Sequence, residues 1–110
     1  MKRGDIYYVV LEPTAGHEQQ GTRPVIVVSR EEINRRYVPI VCPITSGGEN
    51  PRNAGWTVTL HGFGLKTDGV VLCHQIRACD IKARNGRRIE STPPHLIAEV
   101  LSVLQDFFEI

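Results

Sequence analysis

Glycine and proline interrupt this chain so often that long helices or strands have little room to form. The 110 residues include 10 glycines and 7 prolines, which separate short runs of β-branched and aromatic residues. Runs of that composition favour strands, whereas glycine and proline favour the turns between them. The sequence therefore predicts a mainly β domain, spanning residues 1–110, that is assembled from short strands.

Two apolar runs in the first third of the chain predict strands of one sheet. Residues 6–10 are aromatic and β-branched, and residues 25–28 form a near-continuous apolar run, typical of a central strand buried on both faces. A long loop reaching to about Thr22 separates them, and Pro24 marks the start of the second strand. Further strands are predicted at residues 37–42, at residues 56–60 and, as one long strand or two collinear ones, at residues 69–81.

Two helices are predicted. Ser29 and Glu32 have the capping-box spacing, which predicts a short helix that ends near Arg36. Thr92 and Pro93 predict the N-cap and first turn of a C-terminal helix. Apolar residues recur there at helical spacing and should pack on the sheet: Ile97, Val100, Leu101, Leu104, Phe107 and Phe108. Short strands closed by one amphipathic helix favour a compact β-barrel over an alternating βα fold.

Composition limits the partners and sites that this chain could have. The formal net charge is only +1, so a nucleic acid would be bound by local basic patches, such as a hairpin predicted at residues 82–88. Neither a signal-like N-terminus nor a membrane-length apolar stretch is visible, which predicts a cytoplasmic protein without membrane attachment. Cys42, Cys73 and Cys79 lie in apolar runs without a CxxC pair, so we expect reduced buried thiols, no metal site and no cofactor.

The first long loop contains side chains suited to metal-free RNA cleavage. That reaction needs a base for the 2′-hydroxyl, an acid for the departing 5′-oxygen and positive charge near the phosphorane. His17 can exchange protons near neutral pH, and Arg23 offers paired donors that match phosphate oxygens. Spacing alone nevertheless favours the simpler interpretation of a solvated histidine and a surface arginine.

An ordered series of motifs resembles the MazF/PemK family of toxins from type II toxin-antitoxin systems. The motifs are RGDI at residues 3–6, PTAGHEQQGTRPV at 13–25, PITSGG at 43–48, RNAGW at 52–56, GVV at 69–71 and QIR at 75–77, followed by Asp80. The resemblance implies an SH3-like small barrel, a twisted five-stranded sheet with a C-terminal helix, that forms a homodimer. It also implies sequence-specific cleavage of single-stranded mRNA to 2′,3′-cyclic phosphate and 5′-hydroxyl ends, inhibition by a cognate antitoxin, and operator DNA binding only in complex with that antitoxin.

The same resemblance suggests which residues take part in cleavage. An arginine after the first loop and a threonine after the third strand are the catalytic pair of the MazF branch, and they match Arg23 and Thr45 here. The PemK branch carries an arginine and an aspartate where this chain has Leu72 and His74. A leucine cannot stabilise a phosphorane, whereas His74 can still act as acid or base, together with His17.

The position of His74 in its predicted strand leaves two interpretations open. Strict alternation places it half-buried, on the face shared with Leu72, and places Gln75 and Arg77 on the opposite face. His74 could therefore be catalytic or a satisfied histidine at the edge of the core. Gln75 and Arg77 could bind RNA only across that other face, or if a bulge resets the register.

Other polar and aromatic residues are candidates for binding RNA. Trp56 follows a loop that contains Arg52 and could stack on an unpaired base, although it could equally begin a core strand. The remaining candidates could read base edges or simply be solvated loop residues: Glu18, Gln19, Gln20 and Ser46. Two alternatives to an active nuclease remain: an inactive relative that binds antitoxin or operator DNA, and a CcdB-like gyrase-binding toxin, which the Gly16 to Pro24 run disfavours.

Overall fold

The computed structural model describes residues 1–11, 16, 21–46 and 55–109, which form an antiparallel sheet, two α-helices and one 3-10 helix. The strands are β1 (Asp5–Val10), β2 (Thr22–Val27), β3 (Ile40–Thr45), β4 (Thr57–Thr59), β5 (Val70–Leu72), β6 (Arg77–Ala78) and β7 (Arg87–Ser91). Helix α1 (Glu31–Arg36) joins β2 to β3, a 3-10 helix (Cys73–Gln75) joins β5 to β6, and α2 (Pro94–Phe108) follows β7. Neither α-helix of this part of the chain has the length and apolar character needed to cross a bilayer.

The described strands form one sheet in the order β4-β5-β3-β2-β1-β7, and β6 also pairs with β3. Strand β2 lies between β1 and β3, and its residues Val25, Ile26 and Val27 have no solvent exposure. The prediction of a central strand buried on both faces is therefore confirmed. The mainly β class with a C-terminal helix is also confirmed, and the described residues supply seven strands rather than the five expected.

Apolar side chains are packed on both faces of the sheet. One cluster includes Ile26, Cys42 and Ile44 and is covered by α2, whereas the other includes Val25 and Val41 on the opposite face. Adjacent residues of β2 and β3 alternate between the two clusters because successive side chains of a strand point to opposite faces. Cys42, Cys73 and Cys79 are all free and buried, as predicted.

Both predicted helix caps are wrong, because each hydroxyl group binds the backbone of a residue far away in the sequence and caps no helix. The Ser29 hydroxyl accepts a hydrogen bond from the Ile40 amide at 2.9 Å, and α1 begins after Arg30 without a side-chain cap. The Thr92 hydroxyl donates to the Gly4 carbonyl at 2.8 Å. Helix α2 consequently begins one residue later than predicted, with Pro93 as its N-cap.

Residues 69–81, predicted to form one long strand or two collinear ones, form two short strands, β5 and β6, that are separated by three extra residues. Strand β5 pairs Val71 with Ile44, and β6 pairs Arg77 with Val41, so six residue steps on one side face three steps on β3. The 3-10 helix takes up the surplus. Strict alternation through this segment is therefore wrong.

The hairpin predicted around Asn85 is also wrong. Asn85 does occupy a turn, with a positive φ of 53°, and the Gly86 amide donates to the Ile81 carbonyl at 2.8 Å. The strands on either side of this turn do not pair with each other, however: β6 joins β3, and β7 joins β1 at the opposite end of the sheet. The turn therefore carries the chain across the sheet rather than back along the same strand.

Candidate active site

Arg23 and Thr45 lie at the same end of neighbouring strands and on the same face of the sheet. Strands β2 and β3 pair Val25 with Pro43, and Arg23 and Thr45 are each two residues beyond that pair. Because side chains alternate, residues two positions along a strand share a face. Both side chains are half-buried, and each has an interaction partner in the structure. The antiparallel register thus brings together two residues that are 22 positions apart in the sequence.

Two arginines hold the end of β1 where the first long loop begins. The Arg84 Nη1 atom donates to the Val10 carbonyl at 2.7 Å, and the Arg77 Nη1 atom donates to the Leu11 carbonyl at 3.4 Å. The Leu11 amide in turn donates to the Gly21 carbonyl at 2.9 Å, which closes the base of the loop. Arg77, predicted to bind RNA, therefore also has a structural contact beside the candidate site.

His74 lies in the 3-10 helix, beside the start of β4. Its Nδ1 atom is buried and has no hydrogen-bond partner among the described residues. Burial lowers the pKa of His74 below the usual 6.5, and a hydrogen bond to the Trp56 backbone opposes that shift only in part. The imidazole is consequently neutral at pH 7, the form that can accept a proton.

Leu72 is fully buried in the core, as its apolar side chain requires. It immediately precedes the 3-10 helix that carries His74 and Gln75. Gln75 is half-buried and already has an interaction partner, so it is not a freely solvated side chain. The position that resembles the PemK-branch arginine therefore contributes only to packing.

Trp56 packs against the C-terminal helix and stays partly exposed. Its ring lies 5.0 Å from that of Phe107, centroid to centroid, at an interplanar angle of 82°. Edge-to-face contacts of this kind stabilise aromatic pairs. Both interpretations of Trp56 thus retain support, because one part of the ring is packed and another is accessible. Ser46, directly after β3, is exposed.

Several predicted site residues lie outside the described part of the chain. They are His17, Glu18, Gln19, Gln20 and Arg52. Their contribution to the site stays a prediction. Among the residues that are described, no group of three or more histidine, cysteine, aspartate or glutamate side chains could hold a metal ion.

The sequence did not single out Gly69, although this glycine packs against Thr45. A Cβ atom added to Gly69 would lie 2.2 Å from the Thr45 carbonyl oxygen, so only glycine allows this approach. A glycine immediately before an apolar strand was the available signal. That signal could not show that Gly69 lies against Thr45, because this contact follows from the pairing of Val70 with Thr45.

Comparison with known proteins relates this geometry to a family. Residues 2–108 match the model of a PemK-like, MazF-like toxin of a type II toxin-antitoxin system. The chain is 52% identical to Endoribonuclease PemK from Escherichia coli, over 94% of this chain and 79% of that protein. The crystal structure of MazF from Deinococcus radiodurans superposes with a TM-score of 0.89 at 30% identity, covering 100% of this chain and 97% of the other.

A further structure is a complex. The MazE-MazF structure from Deinococcus radiodurans matches with a TM-score of 0.81 at 28% identity, covering 97% of this chain and 94% of the matched one. The sequence match and the structural match to this family therefore both cover nearly the whole chain. This protein belongs to the PemK-like, MazF-like family of toxins of type II toxin-antitoxin systems.

Proposed function

We propose that this protein is the toxin of a type II toxin-antitoxin system and that it acts as an endoribonuclease. The activity is inferred from the relative named Endoribonuclease PemK, which matches 94% of this chain. The observation that supports the site is the juxtaposition of Arg23 and Thr45 at one end of β2 and β3. Its proposed substrate is single-stranded mRNA, cut at specific sequences without a metal ion, which would arrest translation and growth.

In the proposed reaction the ribose 2′-oxygen attacks the adjacent phosphorus, and the bond from phosphorus to the 5′-oxygen breaks. The products are a 2′,3′-cyclic phosphate and a 5′-hydroxyl, so one proton leaves the nucleophile and one reaches the leaving group. Arg23 carries a permanent positive charge and stabilises the phosphorane through paired N–H donors. The Thr45 hydroxyl orients the 2′-hydroxyl or donates to a phosphate oxygen.

Proton transfer is assigned to His74 and His17. The lowered pKa of His74 makes it a base rather than an acid at the start of the reaction, because its neutral form dominates at pH 7. His17 then supplies the proton to the 5′-oxygen. The proposed RNA-binding residues are Glu18, Gln19, Gln20, Ser46, Arg52, Trp56, Gln75 and Arg77.

The proposed assembly is a cytoplasmic homodimer that a cognate antitoxin protein inhibits. The structures of MazE-MazF from Deinococcus radiodurans support an antitoxin partner. In this scheme the chain contacts operator DNA only when the antitoxin is bound. With a net charge of only +1, the chain is expected to have little affinity for DNA without the antitoxin.

RNA cleavage in the presence of EDTA tests the proposal. The wild-type protein should cut a mixed-sequence single-stranded RNA, and its fragments should carry cyclic phosphate and 5′-hydroxyl ends by mass spectrometry. Arg23→Ala should lower the rate about 100-fold or more, since removing one charged stabiliser of a transition state costs at least that much. Arg35→Ala is the matched control, because Arg35 is an exposed arginine on α1 whose partner is Glu31.

A second candidate function, an inactive relative that binds only its antitoxin, is favoured by one observation. Leu72 is fully buried where the PemK branch carries an arginine, so this chain lacks that source of positive charge. A folded wild-type protein that cuts no RNA but binds antitoxin would establish this alternative. Cleavage that requires Arg23 would exclude it.

A further inference from the structure

The loop of residues 61–69 packs directly against the end of β3, which carries Thr45. Gly69 has a positive φ of 121°, and a Cβ atom there would lie 2.2 Å from the Thr45 carbonyl oxygen and 3.3 Å from the Ser46 Cα atom. The first of these distances is far below a van der Waals contact, and the second is slightly below one. Backbone thus packs on backbone at this point, and the position of the loop determines where Thr45 and Ser46 can lie.

The same loop is anchored to the far side of the sheet by Glu90 on β7. The Glu90 carboxylate accepts hydrogen bonds from the Lys66 amide at 3.0 Å, the Thr67 amide at 2.8 Å and the Thr67 hydroxyl at 2.7 Å. Burial acts to raise the pKa of Glu90, but these hydrogen bonds outweigh it and lower the pKa. The carboxylate therefore stays charged at neutral pH and holds the loop.

Hydrogen bonds also fix the point at which the loop rejoins the sheet. The Leu60 amide donates to the Gly69 carbonyl at 3.0 Å, and the next residue, Val70, pairs with Thr45. A continuous chain of contacts accordingly runs from Glu90 through Thr67 and Gly69 to Thr45. None of these links except Thr45 belongs to the residues proposed to touch RNA.

We propose that Gly69 and Glu90 are positioning residues for the cleavage site. Glu90 anchors the loop, and Gly69 transmits its position to the backbone of Thr45 and Ser46, which sets the Thr45 hydroxyl relative to Arg23 and the bound RNA. This inference rests on the proposed ribonuclease function, because it assigns Thr45 a role in cleavage. It adds two residues that act without contacting the substrate.

Alanine substitution of Gly69 tests its contact with Thr45, and alanine substitution of Gly62 and Gly64 in the same loop provides the control. Gly62 and Gly64 have positive φ values of 88° and 72°, and neither has an atom within 4 Å of an added Cβ, so alanine there brings backbone strain alone. Gly69→Ala also brings backbone strain, at a φ of 121°, and in addition should displace the Thr45 backbone. We expect kcat for RNA cleavage to fall about 100-fold in Gly69→Ala, as a 1 Å misplacement can cause. Gly62→Ala and Gly64→Ala should retain kcat at a temperature where circular dichroism shows all three folded.

Glu90→Gln tests the anchor without introducing a steric clash, and Glu109→Gln is its control at an exposed glutamate. We expect Glu90→Gln to lower kcat and to shift the ¹H–¹⁵N resonances of Thr45 and Ser46, which lie on a different strand. Such a shift would not follow from a merely local role of Glu90. Retained kcat in Glu90→Gln, with unmoved Thr45 and Ser46 resonances, would overturn the proposal, as would equal losses of kcat in the three glycine variants.

The resonance measurement also separates this proposal from the proposed function. If the wild-type protein cuts no RNA, the ribonuclease assignment fails. Shifts of Thr45 and Ser46 in Glu90→Gln, absent in Glu109→Gln, would then still support positional coupling through the loop. If Gly69→Ala does not fold, the Glu90→Gln result decides the question alone.

Discussion

Replacing Leu96 by alanine should destabilise this protein far more than replacing its neighbour Ile97. Leu96 has no solvent exposure and belongs to the cluster between α2 and the sheet, whereas Ile97 only packs against the edge of that cluster. Helical periodicity in the sequence predicts Ile97, and not Leu96, among the residues that pack on the sheet. The two substitutions therefore distinguish the packing seen in the structure from the packing expected from the sequence.

The magnitude follows from the atoms removed. Leu→Ala deletes the equivalent of three methylene groups, worth about 0.8 kcal/mol each when fully buried. The cavity left behind adds to this transfer term, so the free energy of unfolding should fall by about 3 kcal/mol. Ile97→Ala removes similar atoms from a partly solvated position and should cost about 1 kcal/mol. For a domain of this size the Leu96 variant should melt about 15 °C lower.

Urea unfolding followed by circular dichroism provides the measurement. All proteins should be compared at one protein concentration, because dimerisation would otherwise add a concentration-dependent term to the apparent stability. Trp56 fluorescence gives a second signal, since its ring contacts Phe107 on the same helix. A loss for Ile97→Ala equal to or larger than that for Leu96→Ala would refute the assigned orientation of α2.

Two further predictions concern charged and titratable groups. Asp5 is 6% exposed and accepts hydrogen bonds from the Ser91 hydroxyl at 2.9 Å and the Lys2 amide at 3.1 Å, so Asp5→Ala should cost about 2 kcal/mol in urea unfolding. The exposed Asp68→Ala is its control, and equal stabilities would contradict this role. The pKa of His74 is lowered below 6.5, so its base form is lost only as pH falls through that lower value. On the acidic side of the pH profile, the cleavage rate should therefore fall only below pH 6.5, whereas the loss of rate at higher pH belongs to the proposed acid, His17. His74→Gln, unlike the exposed His61→Gln, should remove the acidic limb. An acidic limb that is unchanged in His74→Gln would rule out His74 as the base.

Resemblance identified the individual members of the candidate site better than it identified their arrangement. Arg23 and Thr45 were each recognisable by motif, but only the register between β2 and β3 shows that they share a face. Gly69 belongs to the GVV motif, but the sequence assigns it no role, because a glycine before a strand is common in turns. Its role depends on which backbone lies opposite, and that is a property of strand pairing.

His74 shows why local periodicity fails at such a site. Alternation predicted a half-buried histidine, and the side chain is indeed half-buried, but the cause is different. The segment pairs with β3 at both ends, in registers that differ by three residues, so the chain between them must leave the strand. Sequence periodicity describes one regular element at a time and contains no information on a shift imposed by a distant partner.

By itself, the sequence determined the mainly β class, the buried central strand, the C-terminal helix and the reduced state of the cysteines. These properties follow from local composition and periodicity, because residues close together in the chain decide them. Only the tertiary structure decided the caps of both helices, the 3-10 helix at His74, and the convergence of Arg23, Thr45 and Gly69. Each of these depends on hydrogen bonds or packing between residues that are far apart in the chain, and therefore on the complete antiparallel register.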